Sequence, residues 1–542
     1  MRIAPLVAPL VFIASTFAAA EDAPPSPVGD QAQLGQVAFP VSCTPAAQQQ
    51  FNRAIAILHS FWYEEAIKAF GAVTETDPNC AMGDWGVAMS YWTPLWSPPT
   101  EAALKAGSAA VGKAQAIGAR TDRERDYIEA IATFYRDYDK LDHRARSAAY
   151  QQVMQRLYGR YPEDREAAVF YALALDATAL PADKTYTNQK KAAAILEKIF
   201  VEQPNHPGVA HYLIHSYDSA PLAEHGLPAA ICYAKIAPSV PHALHMPSHI
   251  FTRLGQWQDS IRSNRAASEA GQTYAARVFG EGVAWAESLH AMDYLAYAHL
   301  QLAQDHEAKK VLEQIIAFRK VAPEALAAAY ALAAVPARYA VERRDWAQAA
   351  ALSLPPIAFP WDKYPWTSAM VTFSRALGAA RTGDFGGAQA EIERLGSARD
   401  AIIQKDKYWA DQIEVQRQAA VAILAHVQGK DEEALAQMQS AARLEASMDK
   451  HPVTPSPVVP ARELLGDLLL EINQPTQALS EYEQALTKDP NRFRSVYGAA
   501  KAAERAGDAA KAKAYYQTLA ALGGNADGER AELAEAKAYL QR

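Results

Sequence analysis

HPGVAHYLIHSYD (residues 206–218) and PHALHMPSHIFTRLGQW (241–257) repeat one pattern at an interval of thirty-four residues. His211 and His245 are separated by that interval, and so are His215 and His249. Residues 206–249 hold His206, His211, His215, His225, His242, His245 and His249, half of the 14 histidines in the chain. A thirty-four-residue period is that of a unit built from two antiparallel helices, in which equivalent positions of stacked units point the same way. The four histidines are therefore expected to form a two-by-two array on one surface.

The same unit is legible on both sides. Upstream, AQQQFNRAIAILHSFWYEEAIKAFGAVTETDPNC carries Ala66, Phe70 and Pro78. The small residue lets two helices approach, the aromatic fills between them, and the proline stops the second helix. Downstream, ARELLGDLLLEINQPTQALSEYEQALTKDP carries Gly466, Ala478, Tyr482, Ala485 and Pro490, and the next unit carries Gly507, Ala512 and Tyr516. Strand-like alternation is absent, so the expected fold is all-α: a tetratricopeptide (TPR)-type α-solenoid of antiparallel helix pairs forming a right-handed superhelix.

The expected organisation begins with a signal peptide at 1–20: Arg2, an apolar segment from Ile3 to Phe17, and Ala18-Ala19-Ala20 as a cleavage site. A flexible lead rich in Pro, Ala and Gln follows at 21–42. The N-terminal solenoid with the histidines spans 43–353, and a Pro/Trp-rich joint covers 354–366. Further helix pairs occupy 367–450, a Pro-rich linker 451–458, two regular repeats 459–526 and a capping helix 527–542. No later segment is long and apolar enough to cross a bilayer. The reading is a periplasmic or secreted protein with no membrane span after signal cleavage.

A net charge of −8, with no long basic run, argues against nucleic acid as partner. The three cysteines are too few for a disulfide framework. Cys43 and Cys80 lie just ahead of consecutive first helices, so one bond between them is expected, with Cys232 unpaired and buried. There is no phosphate-cradling glycine loop, metalloprotease HExxH or nucleophile elbow.

Counted from the start of each unit's first helix, His211 and His245 are fifth, His215 and His249 ninth, and His242 second. In the later unit beginning near Leu289, these places hold His290, Asp293 and Tyr297. His211/His215 and His245/His249 are i,i+4 pairs, with Cβ atoms roughly 5–6 Å apart. Packed helices lie about 8–10 Å apart, so imidazoles from neighbouring helices can converge on one point. Imidazole is the commonest protein metal ligand. His211, His215, His242, His245, His249, His290 and Asp293 are the candidate ligands for Zn, Cu, Ni or Fe, enough for two ions. His206 and Tyr297 are supporting candidates. Pro247, between His245 and His249, must kink or restart its helix. His59, His143, His299 and His426 read as hydrogen-bonded core residues, His225 and His306 as solvated, and His451 as part of the Pro-rich linker.

HYLIH (211–215), HALHMPSHIFTRLGQW (242–257), DPNCAMGDWGVAMS (77–90) and HAMDYLAYAHLQ (290–301) together resemble motifs of a group of secreted bacterial TPR-repeat proteins. The resemblance covers roughly residues 43–320 and implies a TPR fold and export, without naming a ligand. Asp218 stands where that group's pattern calls for an acidic residue soon after HYLIH. Two functions are weighed. One is an extracytoplasmic scaffold that binds a protein or peptide and holds a transition metal or small ligand at a concave histidine surface. The alternative is a metal-dependent enzyme, hydrolytic or oxidative, using the His/Asp cluster with Tyr297 or His290 assisting.

Overall fold

A computed structural model describes residue 29, residues 31–95 and residues 98–542. The signal peptide and the start of the lead lie outside the described residues. The described chain is a TPR-type α-solenoid. First helices of successive units pack on one another as well as on their own partners. Thus Ala461–Glu471 contacts both Pro475–Lys488 in its own unit and Phe493–Ala506 in the next.

The repeat residues act as their chemistry demands. Tyr482 is wedged between two first helices: a Cβ on Gly466 or Gly498 would lie 2.7 or 2.2 Å from its ring. Its hydroxyl donates to Asp467 Oδ1 at 2.6 Å, which satisfies the buried phenol. Caps set the helix starts. Thr44 caps the helix Pro45–His59, and Thr121 with Glu124 forms a reciprocal capping box on Asp122–Tyr135.

Several expectations are corrected. Residues 31–42 are not a free lead. Leu34 and Phe39 are buried, and Phe39 sits against Phe51, Trp85 and Tyr127. Val41 N–H donates to Gln48 Oε1 at 2.7 Å, and the bond between Cys43 and Cys80 ties down the end of the segment. Two apolar anchors in a non-periodic stretch are enough to dock it. Cys232 is half-buried, not buried. A two-stranded parallel sheet pairs Val283–Trp285 with Lys320–Ala322, strands too short to show alternation in sequence. As expected, Pro247 divides its helix into Pro241–His245 and Pro247–Arg253, with Met246 between.

The Pro-rich linker at 451–458 is a largely buried strap. Tyr294 Oη lies 3.2 Å from Pro452 O and 3.1 Å from Thr454 O, and Arg338 Nη2 donates to Thr454 Oγ1 at 2.9 Å. Beyond the strap, the C-terminal repeats close back on the histidine-bearing units. Trp257 Nε1 donates to Asn491 O at 2.8 Å, and Phe493 N to Gln301 Oε1 at 3.0 Å. Gly255 makes this closure possible. Its φ is +65°, and a Cβ there would lie 2.3 Å from Pro490 O. No helix among the described residues is long and apolar enough to cross a membrane.

Candidate metal centre

Three helices supply the histidines: Pro207–Tyr217, the broken pair Pro241–His245 and Pro247–Arg253, and Ala286–Gln301. Their ends are defined by sequence. Pro207 and Pro241 occupy first-turn positions, where the missing N–H costs nothing. The helices bring the side chains together as two triads. In the first, His211 Nε2 is 3.0 Å from His215 Nε2 and 3.2 Å from His242 Nε2. In the second, His245 Nε2 is 3.0 Å from His249 Nε2, and the His290 ring centroid is 4.3 Å from that of His245. In each triad one nitrogen from every ring falls within 4.8 Å of the others. The triads touch: the rings of His215 and His249 are 6.2 Å apart, and those of His242 and His245 6.1 Å apart.

A single rule builds both. The fifth and ninth positions of one unit meet the second position of the next. The expected two-by-two array of His211, His215, His245 and His249 is extended by His242 and His290, which complete it as two triads. The third step of the same rule is filled differently. Asp293 and Tyr297 occupy the fifth and ninth positions there, and they face Arg338. The guanidinium pairs with Asp293 Oδ1 and lies 5.5 Å from the Tyr297 ring centroid. Asp293 is therefore engaged by a protein cation and does not join the histidines. Burial lifts its pKa to about 6, against the opposing pull of Arg338. Tyr297 likewise faces away, accepting from Arg492 Nη1 at 3.1 Å. Its neighbour Tyr294, four residues after His290, is the tyrosine at the site, with its ring 4.9–5.3 Å from those of His245, His249 and His290.

The hydrogen bonds fix the tautomers. His211 Nδ1 donates to His59 O at 2.7 Å, and His242 Nδ1 to Glu287 Oε2 at 2.9 Å. His245 Nδ1 donates to Asn264 Oδ1 at 2.6 Å; the Asn264 amide is oriented by its Nδ2, which donates to Ser260 O. His249 Nδ1 donates to Asp218 Oδ2 at 2.8 Å, and Arg253 Nε holds the other Asp218 oxygen. A neutral imidazole has one proton, so His211, His245 and His249 each turn a bare Nε2 lone pair inward. Burial, reinforced by neighbouring imidazoles, pushes His211, His215, His245 and His290 well below the usual histidine range. Burial also lowers His249, with Asp218 opposing. Neutral rings with lone pairs 3.0 Å apart, as in His245 and His249, repel one another unless a cation lies between them. Three nitrogens at tetrahedral positions around Zn²⁺ would be about 3.3 Å apart. Oxygen acceptors behind the ligating rings are the arrangement that orients histidines at metal sites.

A third group, His59, Glu166 and His206, replaces one imidazole by a carboxylate and is bonded differently. His206 Nδ1 accepts from Val209 N, so its Nε2 donates to Glu166 Oε1 at 2.9 Å. His59 Nε2 lies 2.9 Å from Glu166 Oε2, and its Nδ1 lies 2.9 Å from the Tyr212 hydroxyl. Both ring nitrogens of each histidine are engaged, so the group is a structural bridge. It places His206 on Glu166, away from the triads.

No family model matches the chain, and no curated protein matches it. Among solved structures it is similar to the human IFIT1 dimer with m7Gppp-AAAA, at 11% identity over 82% of this chain and 90% of that one, with a TM-score of 0.37. The Naa15/Naa10 complex bound to HypK-THB gives 14% identity, 92% and 73% coverage, and a TM-score of 0.23. Yeast Tom70 gives 12%, 92% and 95%, and 0.27. At these scores the likenesses say nothing about the site.

Sequence spacing singled out all six histidines of the triads. It missed Asn264, Glu287, Glu166 and Tyr294, which lie off the thirty-four-residue register. Glu287 stands three residues before His290, an i,i+3 relation that marks them as neighbours on one face. A cavity of about 480 Å³ opens against the first triad and is lined by His215, Asp218, Arg253 and Lys450 among others. A cleft of about 560 Å³ between Gly255–Asp259 and Asn491 lies apart from the histidines.

Proposed function

We propose that this protein is an exported helical-repeat scaffold that holds two transition-metal ions, one in each histidine triad. One observation carries the metal reading: paired Nε2 lone pairs face each other at 3.0 Å while the opposite nitrogens are committed to oxygen acceptors. The donor set is entirely imidazole, which suits Zn²⁺, Cu²⁺, Ni²⁺ or Fe²⁺ and excludes the oxygen-seeking Mg²⁺ and Ca²⁺. Export rests on the signal-like residues 1–20 and agrees with the Cys43–Cys80 bond. A protein or peptide partner is the expectation for this architecture.

The test is elemental analysis of untagged protein, which should carry close to two ions per chain. The double variant His245→Ala, His249→Ala should lose one of them. Metal-free protein whose melting temperature ignores added Zn²⁺ and Cu²⁺ would remove this reading and leave only the scaffold. The enzyme reading is favoured by one feature, that His215 belongs both to a triad and to the cavity wall. Substitution with Co²⁺ separates the two. A visible spectrum that shifts when azide is added marks an open position and favours catalysis. A spectrum indifferent to azide favours storage, transport or structure.

A further inference from the structure

The cavity beside the first triad contains polar groups that the fold leaves without partners. Lys450 Nζ, Asp176 Oδ1 and Ser219 Oγ are buried and have no hydrogen-bond partner among the described residues. All three residues line the same cavity. An unpaired buried polar atom is costly, and native proteins hold few of them. Three around one space of ligand size mark a place where something else completes the bonding.

The chemistry of each group can be assigned. Ser216 Oγ lies 2.8 Å from Asp176 Oδ2 and 2.9 Å from Tyr212 O, and it has one proton to give. That proton goes to the carbonyl, which can only accept. Asp176 then supplies the proton on its own Oδ2, and burial, which pushes its pKa well above the usual carboxylate range, agrees. Asp176 Oδ1 is thus a carbonyl-like acceptor without a donor. Lys450 is the reverse. The nearest carboxylate, Asp218, is 3.8 Å away and already serves Arg253 and His249. Lys450 is a donor without an acceptor, and Ser219 can act as either. The rest of the wall includes Tyr186, Tyr408 and Trp409. Trp409 is held flat by Trp366, with rings stacked at 3.9 Å.

We propose that this cavity binds a small amide-bearing molecule with an aromatic or aliphatic substituent, of the class of a capped amino acid or a single residue of a peptide. The amide oxygen accepts from Lys450, the amide N–H donates to Asp176, and the substituent lies on the aromatic wall. An inorganic anion would leave Asp176 without a donor, and a hydrocarbon would leave all three groups unpaired. The proposal goes beyond the metal reading and does not need the ions, because neither Lys450 nor Asp176 belongs to a triad.

The probe is N-acetyl-tyrosinamide, titrated into metal-free and Zn²⁺-treated full-length protein and followed by saturation-transfer NMR. Saturable one-to-one binding is expected to both forms. Lys450→Met should weaken it by roughly tenfold or more, the loss of one hydrogen bond to a charged group. Leu180→Trp, at a partly exposed rim residue of the cavity, should block it sterically while leaving the melting temperature unchanged. No saturable binding to the wild type, or binding unchanged in either folded variant, overturns the proposal. Metal content is read separately by elemental analysis, so failure of the metal reading and failure of this one are distinguishable.

Discussion

His245 and His59 are both buried and both engaged at one ring nitrogen, and they differ in what the other nitrogen meets. For His59 it meets a tyrosine hydroxyl, and for His245 another histidine's lone pair. The difference predicts opposite phenotypes. Glu166→Ala leaves two buried imidazoles without their acceptor and should cost about 3–5 kcal/mol of stability by denaturant titration, with metal content unchanged. Glu287 behind His242 is partly exposed. Glu287→Ala should lower the first site's metal affinity by about 10–100-fold in a competition titration and barely move the melting temperature of the metal-free protein. Glu166 also sets an acid response. Burial would raise its pKa, but His206 and His59 outweigh burial and hold it far below its ordinary 4.5. Its stabilisation is present above 4.5 and is lost as the pH falls below that value. Acid denaturation curves of the wild type and Glu166→Gln should therefore converge toward low pH. Spacing alone revealed which histidines gather. It could not reveal which are fully bonded, because Glu166, Asn264 and Glu287 come from outside the repeat register.

At the scale of helices and loops, the interlayer rule explains both what sequence showed and what it hid. The rule was half visible, since positions two, five and nine were marked, but their pairing between successive layers needs the stacking itself. Asp293 and Tyr297 fit the same numbering and meet Arg338, because the next layer offers a guanidinium in place of an imidazole. The strap at 451–458 was hidden for another reason. Proline-rich sequence signals an end to helix, not exposure. Tyr294→Phe removes the hydroxyl that reaches two strap carbonyls and should cost about 1–3 kcal/mol. Amide exchange in residues 450–456 should speed up in that variant, whereas a solvated linker would show fast exchange in both proteins.

Across the whole molecule, the C-terminal repeats brace the histidine units. Arg492 is fully buried, donates to Glu463 at 2.8 and 3.1 Å, pairs with Glu342 and reaches Tyr297. Arg492→Ala strands two carboxylates and should destabilise the fold by about 3–5 kcal/mol. The all-α repeat class was legible from the thirty-four-residue period. The closure was not, since Gly255 reads as an ordinary turn glycine until Pro490 is seen against it. The central claim, that the closed solenoid holds two three-imidazole metal centres, is tested most directly by anomalous diffraction from crystals of untagged protein, recorded above and below the absorption edge of the metal found by analysis. Two peaks are predicted, one within about 2.0–2.2 Å of nitrogens from His211, His215 and His242, and the other equally placed among His245, His249 and His290. Density without an anomalous signal at both triads, after the crystals have been soaked in Zn²⁺ and in Cu²⁺, would contradict it.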